Sequence, residues 1–120
     1  MAHAAMKNEP VSNPMGTDGF EFVEYASKEP EKLAKLFESL GFTAVAKHRR
    51  KNVTLYRQGD INFILNAEPN GQAKLFTDTH GASANAMAFR VKDAAFAFNR
   101  AKELGAEVVE STAGPMELSI

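Results

Sequence analysis

Fifteen residues, Asn52 to Asn66 (NVTLYRQGDINFILN), constrain the fold more than any other stretch of this chain. Apolar residues alternate on both sides of Gln58-Gly59-Asp60, with Val53 and Leu55 before it and Ile61, Phe63 and Leu65 after it. A period of two marks a strand with one buried face, because successive side chains point to opposite sides. The polar turn with its glycine joins the two strands into a β-hairpin. Val53, Leu55, Ile61, Phe63 and Leu65 are expected on the buried face. Thr54, Tyr56, Asn62, Ile64 and Asn66 are expected on the other, lining a cavity or meeting solvent. Such a hairpin needs a layer packed on it, and the chain offers two helices.

Residues 1–17 hold Pro10, Pro14 and Gly16 without periodicity and read as a flexible leader. Gly19 to Ser27 alternates as a strand, with Phe20, Phe22 and Glu24 on one side and Glu21, Val23 and Tyr25 on the other. Ser27 is placed to cap the following helix, and Pro30 falls in its first turn, where a missing N–H costs nothing. Leu33, Leu36, Phe37 and Leu40 recur at helical spacing, and Gly41 stops the helix. Phe42 to His48 alternates again, and the basic turn Arg49-Arg50-Lys51 leads into the hairpin. Residues 18–66 thus run β-α-β-β-β.

Residues 67–83 form a connector in which Gln72 to Thr79 predicts two helical turns, with Leu75 and Phe76 inward. Asn85 to Val91 is a strand, and Asp93 caps a helix that carries Ala94, Phe96, Ala97, Ala101 and Leu104 and stops at Gly105. Ala106 to Glu110 begins another strand, and Met116 to Ile120 reads as a short one.

The two halves match at an offset of 64: Leu40-Gly41-Phe42 with Leu104-Gly105-Ala106, Lys28-Glu29 with Lys92-Asp93, and Tyr25 with Phe89. A repeat of strand, capped helix, Leu-Gly stop and strand changes the fold assignment. Residues 18–66 become one unit and 84–120 a second that lacks at least its last strand, since the position equivalent to Asn66 lies beyond Ile120. The expectation is an open sheet edge, filled by a longer chain or by another molecule.

Composition narrows the function. A net charge of -1 from 14 basic and 15 acidic residues offers no electrostatic case for nucleic acid or an anionic membrane. No apolar run approaches the length of a membrane span, and the first residues carry no apolar signal core. The absence of Cys removes disulfides, thiolate metal ligands and thiol nucleophiles, and suits a reducing cytoplasm. No G-x-S-x-G, H-x-x-H or H-E-x-x-H spacing occurs. His3 lies in the leader, His48 stands beside three cations that repel a metal, and His80 belongs to an Asp78-Thr79-His80-Gly81 loop. Arg49-Arg50-Lys51 reads as a solvated turn rather than a phosphate site, and Phe96 and Phe98 as core or interface. The residues alone assemble no catalytic constellation.

Paired β-α-β-β-β units are the organisation of the vicinal-oxygen-chelate fold, an α+β class shared by glyoxalase, bleomycin-resistance proteins and extradiol dioxygenases. Within that fold, Met15 to Glu24 (MGTDGFEFVE), Lys51 to Ile64 (KNVTLYRQGDINFI), Ala88 to Ala94 (AFRVKDA) and Gly114 to Leu118 (GPMEL) resemble bacterial 4-hydroxyphenylpyruvate dioxygenase, as do Gly41-Phe42, Ala44-Val45-Ala46 and His80-Gly81. The resemblance covers nearly everything after the leader and is to the N-terminal module. It implies a longer parent enzyme of two modules that converts 4-hydroxyphenylpyruvate and dioxygen to homogentisate and carbon dioxide in tyrosine catabolism. It also implies an Fe(II) held there by two His and one Glu of the C-terminal module. This chain is then the iron-free copy, with no catalytic, cofactor or metal residue of its own. Its expected partners are the C-terminal module or another copy of itself, as in a dimer.

In metal-binding members of the fold, the resemblance places first-strand ligands at Glu21 or Phe22 in one unit and at Asn85 or Ala86 in the other. Only Glu21 is a carboxylate, and one carboxylate does not hold a divalent transition metal. Two other readings stay open. One is a stand-alone binding module of the bleomycin-resistance type, with Tyr25, Tyr56, Asn62 and Asn66 lining a cleft. The other is a glyoxalase-like isomerase with metal shared across a dimer by Glu21 and His80.

Overall fold

Five strands form one sheet in the order β2-β3-β4-β1-β5 in the computed structural model, which describes residues 12–110. The elements are β1 (Thr17–Ala26), α1 (Pro30–Ser39), β2 (Thr43–Lys47), β3 (Val53–Gln58), β4 (Ile61–Asn66), α2 (Gln72–His80), β5 (Ser83–Val91) and α3 (Ala94–Glu103). β2, β3 and β4 are an antiparallel meander, β1 runs parallel to β4, and β5 runs antiparallel to β1. Among the described residues, β5 has a neighbour on one side only.

The hairpin forms, but its faces differ from the expectation. The turn has two residues, Gly59-Asp60, with Gly59 at φ 57°, a backbone that glycine adopts without strain. Gln58 therefore pairs with Ile61, Tyr56 with Phe63, and Leu55 with Ile64. Cross-strand partners share a face, so even positions of β3 join odd positions of β4. A three-residue turn would put Val53, Leu55, Ile61, Phe63 and Leu65 together. The shorter turn separates them. Tyr56, Phe63 and Leu65 face α1, while Val53, Leu55 and Ile64 lie on the opposite face with Asn62 and Asn66. Both faces are apolar: Val53 and Ile64 are buried as deeply as Tyr56 and Leu65.

The core sits between α1 and the β1-β4-β3 half of the sheet. Phe37, Phe42, Tyr56 and Leu65 are buried together, with Tyr25, Leu33, Ala34 and Phe63 against them. Phe37 meets Tyr25 and Tyr56 edge-on at centroid distances of 5.3 and 5.4 Å, and Phe42 stacks on Phe63 at 4.3 Å. Edge-to-face and offset stacking suit the ring quadrupoles and add to the burial of large apolar surfaces. Pro30 opens α1 as expected, but Ser27 does not cap it. The Ser27 hydroxyl accepts from Glu29 N–H at 3.0 Å, and Glu29 is the N-cap residue, with no side-chain cap bond of its own. Gly41 ends the turn at φ 96° beneath the Gln58 side chain.

α3 repeats the design with a better cap, since the Asp93 carboxylate accepts from Phe96 N–H at 3.0 Å. α1 and α3 have ten residues each and begin 64 positions apart. Val23 pairs with Met87, also 64 apart, so that pair sits where a local two-fold would cross the β1–β5 ladder. Register shifts between Phe20 and Phe22 and between Glu24 and Tyr25 leave Glu21 on β1 and Asn85 on β5 as the extra residues of two bulges, again 64 apart. The bulge at Glu21 also moves Phe20 off the face that Phe22 occupies, and Phe20 stacks on Phe89 at 5.0 Å.

Two other expectations fail. α2 turns Ala73 and Thr77 inward, not Leu75 and Phe76, and Leu75 is 68% exposed. Small residues fit where the helix lies close to β1 and β5. Residues 106–110 form no strand, because a strand needs a ladder partner and none of the described residues supplies one. Of the core or interface roles expected for Phe96 and Phe98, the core role does not hold, since both are more than half exposed and Ala97 is the buried residue of α3. The Met116–Ile120 segment and His3 lie outside the described residues. Of the expected leader, Asn13 to Thr17 is a hydrogen-bonded turn in which Asn13 Oδ1 accepts from Thr17 N–H at 3.0 Å. No described helix is long and apolar enough to cross a membrane.

Candidate functional site

The face of the sheet opposite α1 is where the two bulges bring polar side chains together. Glu24 points to this face from β1, beside Ile64 and Ala86 on the neighbouring strands. It is 6% exposed, and burial of a carboxylate demands hydrogen-bond donors. The bulge supplies one. Asn85, displaced from the ladder, donates its amide to the Glu24 carboxylate and to Gln72 Oε1 at 3.1 Å. Gln72 Nε2 in turn donates to the Asn85 carbonyl at 3.4 Å, tying α2 to β5. Asn85 Oδ1 and Thr77 Oγ1 are buried in this region without a partner.

The other end of the same face is organised by the second bulge. Arg57 Nε donates to Asn62 Oδ1 at 2.8 Å, and Asn62 Nδ2 donates to the Glu21 carbonyl at 3.1 Å. Arg90 Nε donates to the Glu21 carboxylate at 2.8 Å. That hydrogen bond, the Glu21 charge, and the charges of Asp18 and Asp60 hold the Arg90 guanidinium pKa above its ordinary value.

The positions singled out for metal ligands are therefore committed elsewhere. Glu21 is paired with Arg90, Asn85 with Glu24, and neither Phe22 nor Ala86 carries a donor. His48 Nδ1 accepts backbone N–H groups from Arg50 and Lys51 at 3.2 and 3.1 Å, which makes it a turn residue with its proton on Nε2. His80 ends α2 with its ring 4.4 Å from Phe76. Among the described residues, no three His, Cys, Asp or Glu side chains gather around a common point. An iron facial triad needs two imidazoles and a carboxylate, and this face offers two carboxylates, Glu24 bound to an amide and Glu21 bound to a guanidinium. The donor set does not fit iron.

The cleft expected from Tyr25, Tyr56, Asn62 and Asn66 does not form, because the two tyrosines are in the α1 core and the two asparagines are on the other face. A different cleft of about 500 Å³ opens where the start of α1, the end of β4 and α2 meet. Asp78 on its wall is hydrogen-bonded to Lys74 and lies 3.9 Å from Lys28. The Lys74 hydrogen bond is the main reason that its carboxyl pKa is lowered. Sequence reasoning missed Glu24 and Gln72 as site residues. The one available signal was a glutamate inside an otherwise apolar alternation.

A family model described as hydroxyphenylpyruvate dioxygenase, N-terminal, matches residues 11–120. The chain belongs to this family. A 4-hydroxyphenylpyruvate dioxygenase of Pseudomonas sp. (strain P.J. 874) is 56% identical over 108 residues, which are 90% of this chain and 30% of that protein. Hemolysin VllY of Vibrio vulnificus is 58% identical over 111 residues, covering 90% of this chain and 31% of its own length. The chain thus spans about a third of the length of each of these two relatives. A solved fusion of a xylose isomerase-like TIM barrel with 4-hydroxyphenylpyruvate dioxygenase aligns with TM-score 0.75 and 41% identity over 91% of this chain and 18% of that one. The architecture of the chain is accordingly the α+β vicinal-oxygen-chelate fold.

Proposed function

We propose that this chain is the iron-free structural module of a cytoplasmic, non-haem Fe(II) 4-hydroxyphenylpyruvate dioxygenase acting in tyrosine catabolism. In this reading the parent protein oxidises 4-hydroxyphenylpyruvate to homogentisate with loss of carbon dioxide, and its iron is held outside residues 1–120. The observation that carries the reading is the Glu24–Asn85–Gln72 network. It commits Asn85, one of the positions at which the resemblance places a ligand, to a carboxylate and an amide, and it contains no imidazole. The coverage of about a third of each relative supports a further module beyond this one. The 64-residue spacing of α1 and α3, and of the two bulges, supports residues 18–66 as one unit and 84–120 as the start of a second. The single-sided β5 then serves as the contact with the rest of the parent chain, and the module joins subunits in a homo-oligomer.

The test is made in the full-length protein. Glu21→Gln, Glu24→Gln and His80→Asn, taken singly, are expected to leave iron content unchanged and turnover within about twofold. Loss of iron, or a fall in kcat of more than about a hundredfold at normal fold content, would place a ligand in this module and defeat the proposal.

A further inference from the structure

β1 and β4 are paired only from Val23 to Tyr25 and from Phe63 to Leu65. Below that point they part, and Asn62 spans the gap: its amide takes the Glu21 carbonyl while Arg57 fixes its orientation. The result is a slot of about 380 Å³ between the first half of β1 and the hairpin turn. Three phenylalanines, Phe20, Phe22 and Phe63, line it with Ile61, and the carboxylate residues Glu21 and Asp60 complete its wall. That volume falls in the range of small-molecule sites, which are apolar with a few placed polar groups.

The charge around the slot selects the ligand. Asp18, Glu21 and Asp60 all act on Arg90, and Arg57 is the second cation of the neighbourhood. Three carboxylates against two guanidinium groups leave one negative charge. Glu21 is neutralised by Arg90, whereas Asp60 has no ion-pair partner among the described residues. Phenylalanine faces add attraction for a cation within about 6 Å. We infer that the slot between β1 and β4 binds a small aromatic monocation, its ring against Phe20 and Phe63 and its ammonium group at Asp60. This site is on the strand gap, separate from the Glu24–Asn85 network, and the inference does not depend on the function proposed above.

Calorimetric titration of the full chain with 2-phenylethylammonium chloride tests it. One equivalent is expected to bind with a Kd of about 1 mM, the affinity open to a ligand of this size. Asp60→Asn should weaken binding about tenfold, and Phe20→Leu about fivefold. 3-Phenylpropionate, with the same ring and the opposite charge, should bind without any response to Asp60→Asn, or not at all. The Phe20→Leu change falls on an exposed ring and keeps the test valid should Asp60→Asn disturb the turn. No binding to the unmodified chain at about 10 mM, or binding unaffected by both substitutions, would overturn the inference.

Discussion

The two strand-helix units differ in what their helices rest on. α1 lies over three strands and closes an aromatic cluster around Phe37, which is 3% exposed. α3 has the same length, a stronger N-cap and the same glycine stop, yet Phe96, Phe98 and Leu104 are each more than half exposed. Local chemistry makes both helices, and the meander β2-β3-β4 makes only the first a core. Helix stability in proteins comes chiefly from packing an apolar face, so the first unit should carry most of the domain's stability.

The largest expected effect follows directly. Phe37→Ala should cost about 3–5 kcal/mol in denaturant unfolding, while Phe98→Ala should stay within about 0.5 kcal/mol. Equal losses would erase the contrast. Next comes the polar network on the opposite face. Asn85→Ala strips the buried Glu24 carboxylate of its amide donor and should cost about 1–3 kcal/mol, and the double variant with Glu24→Leu should recover part of that loss. A single-variant cost below about 0.5 kcal/mol would mean that solvent reaches Glu24.

The caps give a smaller difference with the opposite sense. Asp93→Ala should lower stability by about 1 kcal/mol, and Ser27→Ala by less, because Ser27 bonds to Glu29 outside the helix. The smallest effect is seen in alkali. Burial, and secondarily the charge of Glu38, raise the Tyr56 pKa above its ordinary value of 10.0. The folded state then favours the neutral phenol, so this contribution is complete below about pH 10 and is lost as pH rises through the higher folded value. Tyr56→Phe should flatten the alkaline end of the stability profile. Phe98→Leu, in the exposed helix, should leave that end unchanged.

Much of this molecule is legible in its residues. The element order up to Asn66, the connector helix, the Asp93 cap and both glycine stops follow from periodicity and turn chemistry. The family follows from the Lys51–Ile64 run. The faces of the hairpin do not, because one residue more or less in the turn exchanges them, and both parities in β3 and β4 are apolar. The bulges at Glu21 and Asn85 are equally hidden, since alternation continues on either side of them. The resemblance marks Asn85 as a ligand position, but its bond to Glu24 depends on a displacement that only the paired strands create. The inward residues of α2 are hidden for a related reason: hydrophobicity favours Leu75 and Phe76, whereas close approach to the sheet favours Ala73 and Thr77.

The most direct test of the account is oxygen consumption by residues 1–120 supplied with ferrous ion and 4-hydroxyphenylpyruvate. Bound iron should be assayed on the same sample, with a folded circular-dichroism spectrum as the condition for reading it. The account predicts no uptake above the protein-free rate and no retained iron. Steady uptake with about one iron per chain would contradict it, and would locate in this module the site that the Glu24–Asn85–Gln72 network is argued to have replaced.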